Sequence, residues 1–245
     1  MFCGKYQQIA DCFEKERAER LEQFVGDFFN QQQNATNYHY DLHTAIRDSA
    51  YPRFAVYPFK HGNKYSFSQL EWLAQAGIDA VLLSESPTTT YSYFSSRDCG
   101  VHSFTVELGK VKPFGENNMA DFSLARSALF RLILPLDQAQ PFAEEVSEQR
   151  AKQPNLPVLF RINQSIIRSE QHFSLHFSDD TPNFTSFNQG EVLASECNEQ
   201  GQTINEFIAQ QDDEAIVFPN AKVAIGQRAL LTVVPVTIKD LTIDV

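Results

Sequence analysis

Cysteine is scarce and scattered. The four cysteines in 245 residues are Cys3, Cys12, Cys99 and Cys197, with no C-x-x-C pair and no dense spacing, which excludes a disulfide framework and leaves reduced, mostly buried thiols as the reading. Glycine is sparing too. Its ten residues form no G-x-G-x-x-G or P-loop arrangement, so the glycine-dependent phosphate cradles are absent. Tryptophan occurs once against 21 phenylalanines, which implies a bulky aromatic core. Basic residues are outnumbered: 20 Lys and Arg face 31 Asp and Glu, for a net charge of −11, and that balance argues against general nucleic-acid binding, which needs basic surface to replace phosphate counterions. No apolar run approaches the roughly 18 to 20 residues that a membrane span needs. The opening Met1-Phe2-Cys3-Gly4-Lys5-Tyr6-Gln7 lacks the apolar core of a signal peptide, so the sequence reads as that of a cytoplasmic protein. A content of 42% hydrophobic and 21% charged residues excludes disordered and collagen-like classes, and the length suits one large domain or a domain plus a smaller one.

Apolar periodicity divides the chain in two. Leu21, Phe24, Val25 and Phe28 recur at helical spacing between Cys12 and Phe29, which predicts an amphipathic helix. From Asn37 to His43 the chain alternates Tyr38, Tyr40 and Leu42 against His39, Asp41 and His43, the pattern of a strand with one apolar and one polar face. Phe54 to Tyr57 reads as a strand stopped by Pro58, Ser68 with Glu71 offers a capping box for a helix that Gly77 ends, and Ile78 to Leu83 reads as a buried strand. After a Ser/Thr/Tyr-rich stretch from Ser84 to Ser96, Phe104, Val106 and Leu108 alternate with Thr105 and Glu107; Phe122 to Leu132 then carries a helix stopped by Pro135. Alternating strands and helices indicate an α/β sheet over residues 1–140. Periodicity fades in a segment rich in Pro, Gln, Glu and Ala, taken as a linker over residues 141–157. Short strand-like runs at Val158–Asn163, His172–Phe177, Ala215–Phe218 and Ala229–Val236 then predict a small all-β domain over residues 158–245. The Gln31-Gln32-Gln33 loop is the only low-complexity tract.

Three positions carry candidate chemistry. In Asp41-Leu42-His43-Thr44 an imidazole ends a strand with a carboxylate two residues earlier on the same face; metal-bound histidines have such an acceptor holding their other nitrogen, whereas the ordinary reading is a solvated loop residue. Glu107 lies on the polar face of an otherwise apolar strand, placed to act as a general base toward a metal-bound water or, more plainly, to pair with Lys110 or Lys112 at a sheet edge. Arg47 follows His43 by four residues, so one loop could present both a ligand and a carboxylate clamp, although an exposed surface arginine has the same signature. His39/His43 and His172/His176 have the spacing of helical metal pairs but fall in strand patterns. No histidine is followed three positions later by glutamate, and His61 and His102 have no supporting constellation.

From Tyr38 through Arg47, Y-H-Y-D-L-H-T-A-I-R, the sequence resembles the succinylglutamate desuccinylase/aspartoacylase family of the zinc-carboxypeptidase-like superfamily. The likeness continues through Phe54-Ala55-Val56-Tyr57-Pro58-Phe59, Thr89 to Phe94, F-T-V-E-L-G-K-V-K-P-F-G from Phe104 to Gly115, Val217-Phe218-Pro219-Asn220 and Gly226-Gln227-Arg228-Ala229, in order. It implies the superfamily's mixed sheet with flanking helices, incomplete at the N-terminus, plus a small C-terminal all-β domain. It also implies hydrolysis of the amide of N-succinyl-L-glutamate to succinate and L-glutamate, in arginine catabolism, with one zinc ion as cofactor. By the same resemblance His43 matches a zinc ligand and Glu107 the glutamate that deprotonates zinc-bound water. Asp41 would support His43, and Arg47 would contact a substrate carboxylate, with Lys110 as a further source of positive charge. The family's other two zinc ligands, an H-x-x-E pair, and its asparagine-arginine clamp would lie upstream of Met1. The chain is therefore expected to be the C-terminal portion of such an enzyme, inactive by itself. Two other readings stay open: an acylase for another N-acyl amino acid, or a zinc-free binding module or pseudoenzyme. No nucleic acid or membrane partner is expected.

Overall fold

The computed structural model describes residues 12–31, 35–150 and 156–244, with the side chains of 144–150 excepted. Cys3, the opening segment and most of the glutamine loop lie outside the described residues.

Chain order runs α1 (Phe13–Asn30), β1 (Tyr38–Ala45), β2 (Phe54–Tyr57), β3 (Tyr65–Ser66), α2 (Phe67–Gln75), β4 (Ala80–Leu83), α3 (Tyr91–Asp98) and β5 (His102–Lys110). A short 3-10 turn leads into α4 (Ser123–Ile133) and α5 (Leu136–Arg150). The remainder is β6 (Val158–Ile167), β7 (His172–Leu175), β8 (Ser186–Phe187), β9 (Val192–Cys197), β10 (Thr203–Ile208), β11 (Glu214–Val217), β12 (Arg228–Val236) and, after a second 3-10 turn, β13 (Ile243–Asp244).

Eight strands form one mixed sheet in the order β1-β5-β2-β4-β6-β12-β11-β8. β1 and β5 run parallel, β5 and β2 antiparallel, and β2, β4 and β6 parallel to one another. β6 also pairs antiparallel with β12, so the C-terminal β segment joins the α/β sheet edge to edge through this strand. Its own antiparallel sheet, β10-β9-β7, packs against the far end. β13 returns to pair with β3.

Hydrophobic burial explains the layers. β4, Ala-Val-Leu-Leu, is buried throughout, as a strand covered on both faces must be. On one face Tyr57, Leu70, Leu73, Leu83, Phe104 and Val106 pack together beneath α2 and α4. Phe54, Leu82, Phe160, Phe184, Val217 and Leu231 fill the other face. Ile166, Phe173, Leu193, Ile216 and Leu230 make a third cluster between the large sheet and the small one. Gly77 ends α2 at φ +78°, and a Cβ there would meet Leu124 Cδ1 at 2.9 Å, so both backbone conformation and the approach of α4 require glycine.

Several sequence expectations are corrected. The capping box of Ser68 and Glu71 does not form: α2 starts two residues earlier, at Phe67 straight from β3, and Ser68 Oγ bonds Ser66 Oγ at 3.0 Å instead. On α1 the buried line is Ala18, Glu22 and Phe29, while Phe24 and Phe28 of the expected apolar stripe are 58% and 66% exposed. This helix packs along one flank, on α3, where Tyr91 Oη donates to the Leu21 carbonyl at 2.7 Å. Residues 141–150 of the expected linker are helical in α5. Phe142 meets Phe130 of α4 edge to face at 4.9 Å and Ala139 is buried, so packing carries a helix through Pro141 despite its missing amide. Residues 151–155 of that span lie outside the described residues.

Two buried carboxylates knit the β segment. Glu196 accepts from the amides of Ser169 and Glu170, from Ser169 Oγ and from Asn205 Nδ2 at 2.6–3.1 Å. Glu214 accepts from Gln164 Nε2 and the Gln210 amide, each at 2.6 Å. Burial pushes both carboxyls up, but these donors outweigh it and hold them below the usual range. A depressed folded-state pKa contributes stability that is present above the unfolded value and lost as pH falls through the folded one. Glu196→Ala strands the Ser169, Glu170 and Asn205 donors and should cost about 1–3 kcal/mol in urea denaturation at pH 7. The gap to wild type should narrow as pH falls below about 4.3, the ordinary glutamate value.

Candidate functional site

The parallel register of β1 on β5 sets His39 beside Ser103, Asp41 beside Thr105 and His43 beside Glu107. Because strand side chains alternate, these six share one face. α3 covers the first part of this polar stripe. His39 Nδ1 contacts Ser95 Oγ at 2.7 Å, Ser95 Oγ contacts Ser103 Oγ at 2.8 Å, and Ser92 Oγ contacts Thr105 Oγ1 at 2.8 Å. His39 also stacks edge to face on Tyr91, with centroids 4.9 Å apart, and burial lowers its pKa. It is thus a satisfied structural histidine.

The last pair escapes that cover. His43 Nε2 lies 3.1 Å from Asp41 Oδ2, and its Nδ1 makes no bond among the described residues. Glu107 is buried, with an Oε2 that has no hydrogen-bond partner among the described residues. Burial raises its pKa; the neighbouring His43 opposes the rise and Asp41 adds to it. A bulge between His43 and Ala45 shifts the register, pairing resumes once at Ala45 with Lys110, and the chain then enters the loop that carries Arg47. His43, Arg47 and Glu107 all line one cavity of about 550 Å³.

The opposite wall comes from the C-terminal β segment: Asp179, Asn183 and the loop Phe218-Pro219-Asn220-Ala221-Lys222. Arg47 ties this wall to the sheet, donating from Nη1 to the Thr181 carbonyl at 3.0 Å and from Nη2 to the Pro219 carbonyl at 3.3 Å. Asn183 is buried. Its amide donates to the Asp48 carbonyl at 2.8 Å, its carbonyl accepts from the Ala50 amide at 2.9 Å, and its Oδ1 accepts from the Phe218 amide at 2.8 Å. Phe184 and Phe218 sit at φ +63° and +53°, a left-handed conformation that is strained for a bulky side chain and persists only where the surroundings fix it.

The structure therefore brings His43, Glu107 and Arg47 to one cavity, with Asp41 in contact with His43. Lys110 is elsewhere engaged, bonding Asp48 Oδ2 at 2.5 Å. His172 and His176 belong to the far sheet, where His176 Nε2 meets Ser195 Oγ at 2.8 Å. Asn183 and Lys222 escaped the sequence reading; the only signal near them was the Val217-Phe218-Pro219-Asn220 block. Among the described residues no three His, Cys, Asp or Glu side chains group as a metal-ion set. A catalytic zinc takes three protein ligands and an open position, a set that the described residues do not complete.

A buried, underbonded carboxylate thus stands beside an imidazole, in a cavity at the end of two parallel strands of a mixed α/β sheet. Residues 1–133 match the Succinylglutamate desuccinylase/Aspartoacylase catalytic domain, and residues 155–236 match the AstE/AspA barrel-sandwich hybrid domain. The chain belongs to the succinylglutamate desuccinylase/aspartoacylase family. It is 47% identical over 231 residues to a succinylglutamate desuccinylase of Idiomarina loihiensis, covering 93% of this chain and 63% of the relative. For that of Pseudoalteromonas atlantica the figures are 46% over 228 residues, 92% and 61%. The crystal structure of succinylglutamate desuccinylase from Vibrio cholerae superposes with a TM-score of 0.78 at 33% identity, over 95% of this chain and 63% of that one. The chain thus spans less than two thirds of the length of the curated relatives it matches. Among the described residues no helix is long and apolar enough to cross a membrane.

The cap on Phe218 is testable. Asn183→Leu should speed hydrogen exchange of the Phe218 amide several-fold, as expected for loss of one hydrogen bond, while Asn183→Asp keeps an acceptor and should keep the protection; mass-spectrometric exchange of the 216–222 segment reads both.

Proposed function

We propose that this chain carries the acid-base part of an amide hydrolase that converts N-succinyl-L-glutamate and water to succinate and L-glutamate, in arginine catabolism. The observation that carries this reading is Glu107: buried, with a raised pKa and an Oε2 without a partner among the described residues, facing a cavity beside His43. A carboxylate so placed accepts a proton that its surroundings leave it free to receive. In the reaction, the water oxygen bonds to the acyl carbon as Glu107 takes the water's proton. The carbon–nitrogen bond then breaks, and Glu107 returns that proton to the leaving amine.

His43 is assigned as one zinc ligand, through the nitrogen that Asp41 leaves free, with Asp41 orienting the ring. Zinc in such a family site would polarise the amide carbonyl and acidify water. Arg47, held by two carbonyls, keeps further guanidinium donors for a substrate carboxylate. The α/β segment over residues 1–140 would supply the chemistry and the β segment over residues 158–245 the facing wall. The substrate's own negative charge accounts for placing Arg47 in the cavity of an acidic protein.

Two variants test the reading in protein purified from its own cells. Glu107→Gln should reduce turnover of N-succinyl-L-glutamate by about 10²–10⁴-fold, the range for losing general acid-base catalysis, with zinc content near that of wild type. Unchanged turnover would remove Glu107 from the mechanism, and binding of N-succinyl-L-glutamate with no turnover by wild type would support a non-catalytic module instead. His43→Ala should lower the zinc found per chain by atomic emission; full retention of tightly held metal would overturn the ligand assignment.

A further inference from the structure

The cavity has a second cation that the resemblance did not supply. Lys222 lines it together with Arg47, His43 and Glu107. The loop that carries Lys222 is pinned along its backbone: the Phe218 amide bonds Asn183 Oδ1 at 2.8 Å, the Pro219 carbonyl accepts from Arg47, the Asn220 amide bonds the Ala229 carbonyl at 2.7 Å, and the Lys222 amide bonds Asn220 Oδ1 at 2.9 Å. The backbone is thus fixed while the side chain is exposed at the cavity. Its ammonium has no ion-pair partner among the described residues. Lys110, the lysine the sequence suggested, is neutralised by Asp48 and does not line the cavity.

In a chain of net charge −11, a lysine without an ion-pair partner at a cavity wall is a distinct electrostatic feature. The cavity's other charges are Arg47 on the positive side and Glu107 and Asp179 on the negative. Arg47 already spends two donors on backbone carbonyls. A substrate with carboxylates on both its acyl and its amino-acid parts needs more than one cationic contact, and an ammonium on a flexible stem is the point charge that can supply the second.

We infer that Lys222 is a specificity-determining residue that takes one carboxylate of the substrate at the wall facing Glu107. This rests on the amide-hydrolase reading above. The shared chemistry is a carboxylate, and the two sources are the acyl end and the amino-acid end.

The test is Lys222→Met in the protein purified from its own cells, assayed on N-succinyl-L-glutamate and three truncated analogues. N-butyryl-L-glutamate lacks the acyl carboxylate, N-succinyl-L-norvaline lacks the side-chain carboxylate, and N-succinyl-4-aminobutyrate lacks the α-carboxylate. The substitution should raise KM for N-succinyl-L-glutamate about tenfold or more, as for loss of a charge-assisted hydrogen bond, with kcat within about twofold. The analogue missing the carboxylate that Lys222 reads should show no further loss, which identifies the end, and Lys222→Arg should recover part of the affinity. Unchanged KM, or an equal loss on all four substrates, overturns the inference. If wild type turns over none of them, the functional reading fails, and calorimetric titration with succinate and with L-glutamate decides Lys222 independently. Selective loss of one of the two in Lys222→Met supports the inference; equal affinity, or no binding by wild type, overturns it.

Discussion

The pairing of β1 with β5 in parallel register is the constraint on which the site depends. A slip of one residue between them would turn His43 and Asp41 to the face opposite Glu107, into the layer occupied by Tyr40, Phe104 and Val106. That apolar face therefore specifies the polar one. Tyr40 stacks on Trp72 with centroids 4.0 Å apart and donates to Gln69 Oε1 at 2.7 Å. The packing that holds this tyrosine also holds the histidine three residues later in place.

One polar stripe serves two purposes according to what covers it. Under α3 the hydroxyls of Ser92, Ser95, Ser103 and Thr105 satisfy one another and His39, making a structural interface from residues that elsewhere would signal a loop. Beyond the helix the same stripe opens into the cavity, and Glu107 is left buried with one oxygen without a partner among the described residues. An unsatisfied buried carboxylate oxygen is costly. Folds keep such groups where a ligand or a proton is to be received.

The β segment matters to the site through its loops. Because β6 pairs with both β4 and β12, the loop after β11 is carried on the same sheet that carries His43 and Glu107. Arg47 and Asn183 then close the gap between the walls, and two strained phenylalanines mark where that closure is enforced. The cavity is a joint product of the two segments that the family domains divide.

Alternation of residue types marked β1 and β5 and hence which residues share a polar face, because strand geometry has a period of two, although Tyr38 and Leu42 of the expected apolar face of β1 stand exposed. Helical apolar spacing marked α4 and an apolar run the buried β4, while α2 was read from Gly77 and a capping box that does not form. Periodicity did not determine α3, whose sheet-facing side is serine and tyrosine, nor α5, whose composition resembles a linker until Phe142 finds Phe130. Asp41 and His43 stand two positions apart and so were legible together, as was Arg47 in the loop that follows. Asn183 and Lys222 were not. Arg47 meets the carbonyls of Thr181 and Pro219 across 134 and 172 residues of chain, and pairings at that separation leave no local period to read. Only the closure of the sheet through β6 brings those loops to the carboxylate they face.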